Sequence, residues 1–219
     1  MSDNLMELLA ASLGETLYMV VVAIAIACLL GIPLGIILTI TRKDHILPNA
    51  PVHNILGAIV NAIRSVPFII LMVAIIPFTR LVVGSSIGTT AAIVPLTITC
   101  APFVARIIES SMLEIDPGVI EMAQSMGASP WQIIWKVMLP ESLHSIFLGI
   151  TLALISLIGA SAMAGALGGG GLGDLAIRYG YQRRYPPMLL VTVIFLIVLV
   201  QLIQSVFSRV SNRIDKRLK

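Results

Sequence analysis

Glu121-Met122-Ala123, Gly127 and Val137-Met138-Leu139-Pro140 belong to a polar, doubly capped helix-turn-helix inside an otherwise apolar sequence. The chemistry open to such residues is mechanical rather than covalent. Asp116 is a good N-cap and Pro117 suits the first helical position. The first short helix runs to about Met126, and Gly127 supplies the left-handed turn that ends it. Ser129, Pro130 and Gln132 make a capping-box start for a second helix, which Pro140 ends or kinks on its way into the next apolar run. Two helices of roughly ten residues are too short to stand alone in water. Their apolar side chains, Val119, Met122, Met126, Trp131, Ile134 and Trp135, must therefore dock, on a partner, on the membrane surface or on the protein's own core.

Other reactive residue types give no constellation. Cys28 and Cys100 fall inside apolar runs as small packing residues, and His45, His53 and His144 share no ligand spacing, so they read as solvated or interfacial and no metal site is expected. Glu109, Glu114, Asp116 and Glu121 read as a solvated face and helix caps rather than the convergent acids of a membrane enzyme. Gly168, Gly170 and Gly173 fit a G-x-G-x-x-G pattern without the preceding strand that a dinucleotide site needs. No glycine-rich loop leads into Lys-Ser or Lys-Thr, so the chain has no phosphate cradle of its own.

The elements that carry the cassette are membrane helices. The 219 residues are 58% hydrophobic and 11% charged, with a mean hydropathy of +1.00. A soluble domain carries about a quarter charged residues. The apolar runs are too long for barrel strands and lack their alternation, so the expected fold is an all-α integral membrane protein. Five spans are expected, over about 16–41, 60–83, 88–108, 142–164 and 186–208, in one transmembrane domain covering 1–219. The polar cassette fills a loop over about 109–141 between spans three and four. With the N-terminus outside, Arg42, Lys43, Arg64, Arg106, Lys136, Arg209, Arg213, Lys216, Arg217 and Lys219 lie on the cytosolic side, against Arg80, Arg178, Arg183 and Arg184 outside. The positive-inside rule selects that orientation, so the net charge of +3 reflects topology and not nucleic-acid binding.

Gly31 and Gly35 have the spacing that lets two helices approach closely within the protomer. Arg64 and Arg80 bracket span two as snorkelling flanks, which leaves no charge deep in a span. Pro77, Pro95 and Pro102 are expected to break spans two and three, as is common where helices line a polar cavity. Span four carries Thr151, Ser156, Ser161 and Met163 towards the glycines between 165 and 173, where its helix should end. An outer loop with Arg178, Tyr179, Tyr181, Arg183, Arg184 and Tyr185 follows.

The spacing Glu-x-Ala, three residues, Gly, nine residues, Val-x-Leu-Pro resembles the signature loop of permease subunits of bacterial binding-protein-dependent ABC importers. Met122 and Val137 stand where that family carries Ala and Ile. Arg64-Ser65-Val66-Pro67-Phe68-Ile69, Ala92-Ile93-Val94-Pro95-Leu96, Gly159 to Gly173 and Arg178 to Tyr181 are similar to the five-span permeases of methionine importers. The resemblance implies a multi-pass protein of the bacterial inner membrane that is not itself an enzyme. It implies a homodimer, two copies of a separate subunit that binds ATP and Mg, and an extracytoplasmic substrate-binding lipoprotein. The substrate it implies is an amino acid, methionine in its L- and D-forms. Glu121, Met122, Ala123, Met126, Gly127, Trp131, Leu139 and Pro140 would couple to the ATPase. Met163 would gate a pathway past Ser156, Ser161, Thr151 and Ser65, with Thr97, Thr99 and Asn61 as weaker candidates. The alternatives are a permease for another polar amino acid and a secondary transporter.

Overall fold

A computed structural model describes residues 2–214 of the chain, and the side chains of residues 6–211 within that range. Helices α1 (Ser2–Ile40), α2 (Ala50–Ser65), α3 (Phe68–Ala74), α4 (Ile76–Val83) and α5 (Thr89–Leu113) precede the cassette. The cassette holds α6 (Pro117–Ser125) and α7 (Pro130–Ile133), and α8 (Leu139–Ala164), α9 (Gly171–Leu175) and α10 (Pro186–Ile214) complete the bundle. No strand occurs among the described residues. Four helical stretches are long and apolar enough to cross a membrane, or five if the bent pair α2–α3 counts as one span.

The bundle is built around α1, α5 and α8, with α10 against α8 and α9 against α1. Contact between α1 and α5 is backbone to backbone. A Cβ on Gly31 would sit 2.6 Å from the Ala101 carbonyl oxygen, and one on Gly35 2.5 Å from that of Ala105. Met19, Ala23, Ala27, Leu96, Val104 and Ile108 close the core around this seam. Since the obstacle is backbone, Gly35→Val forces the two helices apart, at a cost of about 1–3 kcal/mol or more. We expect a lower thermal midpoint for that variant in detergent, read by size-exclusion fluorescence; an unchanged midpoint would remove the seam from the account of stability.

Several elements differ from the sequence-based expectation, each for a local reason. Helix α1 has 39 residues, about 58 Å at 1.5 Å per residue, and so begins well before residue 16. The span expected over 60–83 is three helices. Pro67 forces Val66 into extended backbone (φ −85°, ψ 125°), and α2 meets α3 at 103°. Pro77 starts α4 just beyond the break at Ile75. By contrast α5 runs through Pro95 and Pro102 without interruption, so those prolines do not break span three. Pro140 does not end the second cassette helix: α7 continues through a wide π-helical turn (Ile134–Met138) into α8. That turn has an extra residue just where the proline ring would press on the carbonyl four residues back. The expected outer loop is also largely helical, with α9 followed by a further π-helical stretch, Ala176–Gln182.

Candidate functional site

The cassette is capped as its residue types require. Asp116 Oδ1 accepts from the Gly118 amide at 2.7 Å, and Ser129 and Gln132 exchange both bonds of a capping box, at 3.3 and 2.9 Å. Between the helices Gly127 has φ +76°, with amide bonds from Gly127 to Gln124 and from Ala128 to Ala123 closing the turn. Backbone alone makes that turn; Glu121, exposed on α6, gives it no hydrogen bond.

The tertiary structure divides the apolar side chains of the cassette into two sets. Ala123, Ile133, Ile134 and Met138 are buried in the central core, with Val119, Val137 and Leu139 packed at its edge. Met122, Met126, Trp131 and Trp135 are 58%, 80%, 67% and 50% exposed. The two indole rings lie 5.3 Å apart at 56°. Ile134 therefore leaves the docking set expected from sequence, and Val119 lies at its margin. What remains is a thioether and indole surface on a base rooted in the bundle. Exposed groups of this kind are enriched at the energetic centres of protein interfaces.

Beside α6 lies a cleft of about 450 Å³, lined by Arg42, Lys43, Asp44 and His45 after α1 and by Glu121 and Gln124 of α6. His45 is half-buried, with Nδ1 lacking a hydrogen-bond partner. Burial first, and then the Arg42 charge, push its pKa below the ordinary 6.5. Protonation of His45 thus favours the unfolded chain. Its contribution is fully present above pH 6.5 and falls as the pH drops from there towards the lower folded value. Arg42, Lys43, Asp44 and Glu121 share the cleft, so the comparison that isolates the imidazole is with His45→Gln. The wild-type thermal midpoint should drop more steeply than the variant's below pH 6.5; parallel curves would clear His45 of the effect. The other histidines are ties between helices rather than solvated groups: His53 Nδ1 lies 2.9 Å from the Leu38 carbonyl, and His144 Nδ1 3.2 Å from that of Ser211.

The expected pathway residues fall into two environments. Thr151 and Ser161 are buried, their hydroxyls donating to Phe147 and Ile158 carbonyls of their own helix at 2.8 Å each. Ser156 and Met163 are exposed on α8, and Ser65 is exposed at the end of α2, donating to the Asn61 carbonyl at 2.8 Å. Thr97 is buried with its hydroxyl unpartnered, while Asn61 Oδ1 accepts from Arg106 at 2.9 Å. Arg106 also engages Glu109 and the Gly57 carbonyl, which fastens α2 to α5.

Two groupings are absent from the sequence reading. In the first, Ser156 shares a cavity of about 220 Å³ with Arg64, Thr99, Cys100 and Phe103. In the second, Glu15 and Thr16 of α1 hold the glycine-rich turn after α8: Glu15 Oε2 accepts from the Gly171 amide at 2.6 Å, and Thr16 Oγ1 from that of Leu172 at 2.9 Å. Gly170 and Gly171 are left-handed there, with φ of +77° and +76°. Sequence offers little signal for either, because the partners lie far apart along the chain: Glu15 and Gly171 are 156 residues apart.

The comparisons with known proteins fit this geometry. A family model described as "Binding-protein-dependent transport system inner membrane component" matches residues 31–219. The chain is 57% identical over 211 residues to the probable D-methionine transport system permease protein MetI of Vibrio cholerae serotype O1, covering 96% of this chain and 94% of that one. It is 49% identical over 165 residues to the D-methionine transport system permease protein MetI of Escherichia coli K12, covering 75% and 76% of the two chains. An inward-facing structure of the MetNI methionine ABC transporter superposes with a TM-score of 0.97 at 45% identity, covering 99% of this chain and 100% of that one. An exposed thioether and indole surface continuous with a long apolar helix, in a chain so related, leaves one conclusion: the protein belongs to the family of binding-protein-dependent transport system inner-membrane components, the multi-pass permease subunits of ABC importers.

Proposed function

We propose that this chain forms the membrane pathway of an ATP-driven methionine importer, taking L- and D-methionine from an extracytoplasmic binding lipoprotein. Two copies pair in the membrane, and each docks one copy of a separate ATPase subunit, which binds ATP and Mg. The N-terminus lies outside and the C-terminus in the cytosol, an orientation that the distribution of basic residues supports. The substrate assignment draws on the names of the relatives.

The observation that carries the coupling reading is the unbroken helical path from α7 through the π-helical turn into α8. Met122, Met126 and Trp131 would seat in a groove of the ATPase, with Glu121 meeting a basic group there. Ala123 anchors α6 to the bundle, Gly127 sets the angle between the short helices, and Leu139 and Pro140 stand where the path enters α8. A displacement of the ATPase is then delivered to α8 as a rigid-body movement instead of being absorbed by a hinge. In this reading Met163 gates the passage between protomers, which runs past Ser156 and Ser65. Thr151 and Ser161, buried in this conformation, would reach it only as α8 moves.

The test is reconstitution of the permease with its ATPase and binding protein in proteoliposomes loaded with ATP. Radiolabelled methionine should accumulate inside, and the accumulation should stop when ATP is omitted. Uptake driven by a proton gradient with no ATP present would instead place the chain among secondary transporters.

A further inference from the structure

Arg64 stands in the last turn of α2, just before the 103° bend that carries the chain into α3. Its guanidinium carbon lies 5.8 Å from the centroid of the Phe103 ring. Phe103 is about 21 Å along α5 from Thr89 and about 15 Å from Leu113, at 1.5 Å per residue. Arg64, exposed on the single protomer, thus meets α5 in its middle third.

No pairing occurs. Among the described residues, Arg106 engages Glu109 and Asn61, Arg178 engages Asp174 at 2.6 Å, and Arg80 donates to Ser86 at 3.2 Å. Among those residues Arg64 makes no ion pair and no hydrogen bond, and its guanidinium stands over the Phe103 ring. It opens instead onto the cavity of about 220 Å³ that it lines with Thr99, Cys100, Phe103, Ser156 and Ala160. Thr99 donates its hydroxyl proton to the Pro95 carbonyl at 2.9 Å, which leaves its oxygen lone pairs to accept. Ser156 has no hydrogen bond to another described residue and can both donate and accept. The remaining lining, Cys100, Phe103, Ala153, Leu157 and Ala160, is apolar or softly polarisable and suits an uncharged side chain.

We propose that this cavity is an amino-acid subsite on the transport pathway, in which Arg64 binds the α-carboxylate of the substrate. The guanidinium fork matches a carboxylate in two parallel bonds, and the hydroxyl oxygens of Thr99 and Ser156 accept from the ammonium group. The substrate's carboxylate then supplies the partner that Arg64 lacks among the described residues, so the subsite favours a free amino acid over an analogue lacking the carboxylate. This proposal rests on the importer reading and identifies which groups of the chain would hold the cargo.

The assembled transporter in proteoliposomes tests it, with uptake of radiolabelled methionine at saturating loaded binding protein normalised to assembled complex. Arg64→Gln removes the charge-assisted bonds to the carboxylate and should lower uptake about tenfold or more. Arg64→Lys, which keeps the charge without the fork, should recover part of the loss, and Ser156→Ala should show a smaller defect. Wild-type uptake from Arg64→Gln overturns the subsite while leaving the importer reading intact; failure of the wild type to import any amino acid overturns that reading first. If Arg64→Gln does not assemble while Arg64→Lys and Ser156→Ala import at the wild-type rate, the residue is structural and the proposal falls. A defect that disappears when anionic lipids are omitted assigns the guanidinium to a headgroup phosphate and overturns it equally.

Discussion

Met122→Asp combined with Met126→Asp should abolish uptake and release the ATPase from the permease, while the chain remains inserted and monodisperse. Both side chains are exposed, at 58% and 80%, so neither aspartate is forced into the core. The adjacent residues that hold α6 in place, Ala123 and the capping Asp116, are untouched. Interface anchors of this size cost about 2 kcal/mol each when lost, and the pair together weakens the complex on the order of a thousandfold. Co-purification of the ATPase on a tagged permease reads the effect directly. Retention of the ATPase by the double variant would mean that the docking surface lies elsewhere, with the Trp131–Trp135 pair the next place to look.

At Gly127 the expected result is graded, and the grading is the informative part. A Cβ placed there meets nothing within 4 Å, so a larger side chain does not collide with its surroundings. The cost comes from the backbone: φ is +76°, a conformation that disfavours L-residues by about 1–2 kcal/mol and β-branched ones most. Asparagine visits this region more readily. Uptake per assembled complex should therefore fall in the order Gly127→Asn, Gly127→Ala, Gly127→Val, with ATP hydrolysis continuing as transport is lost. The angle between α6 and α7 is what relaxes, and a relaxed angle lets the ATPase move without moving α8. Equal loss in all three variants would point to side-chain crowding by the bound ATPase instead of backbone strain. Full uptake with valine would show that the turn need not be rigid.

The same contrast between local and distant causes explains how much of the molecule was legible beforehand. The cap at Asp116, the capping box of Ser129 and Gln132, and the left-handed Gly127 all form as expected, because each depends on residues at most a few positions apart. Misjudged features turned on the competition between proline and its surroundings. Pro67 breaks its span, whereas Pro95 and Pro102 lie inside the continuous α5, and Pro140 is absorbed by a wide turn. Residue type alone does not settle which outcome occurs, because neighbouring helices supply the packing that holds a proline-containing helix together.

Chain composition by itself determined a helical membrane protein: hydrocarbon leaves no other way to satisfy the backbone of so apolar a sequence. Local spacing likewise determined that a capped helix pair stands out from it. Tertiary structure decided which face of that pair is free, burying Ile134 while leaving Met126 and Trp131 in the open. It also decided that Arg64 faces a cavity beside Phe103 and that Glu15 secures a turn 156 residues away. The division follows from range. Caps and apolar periodicity act within a turn or two of helix, while exposure and charge pairing depend on elements that meet only after the bundle has closed.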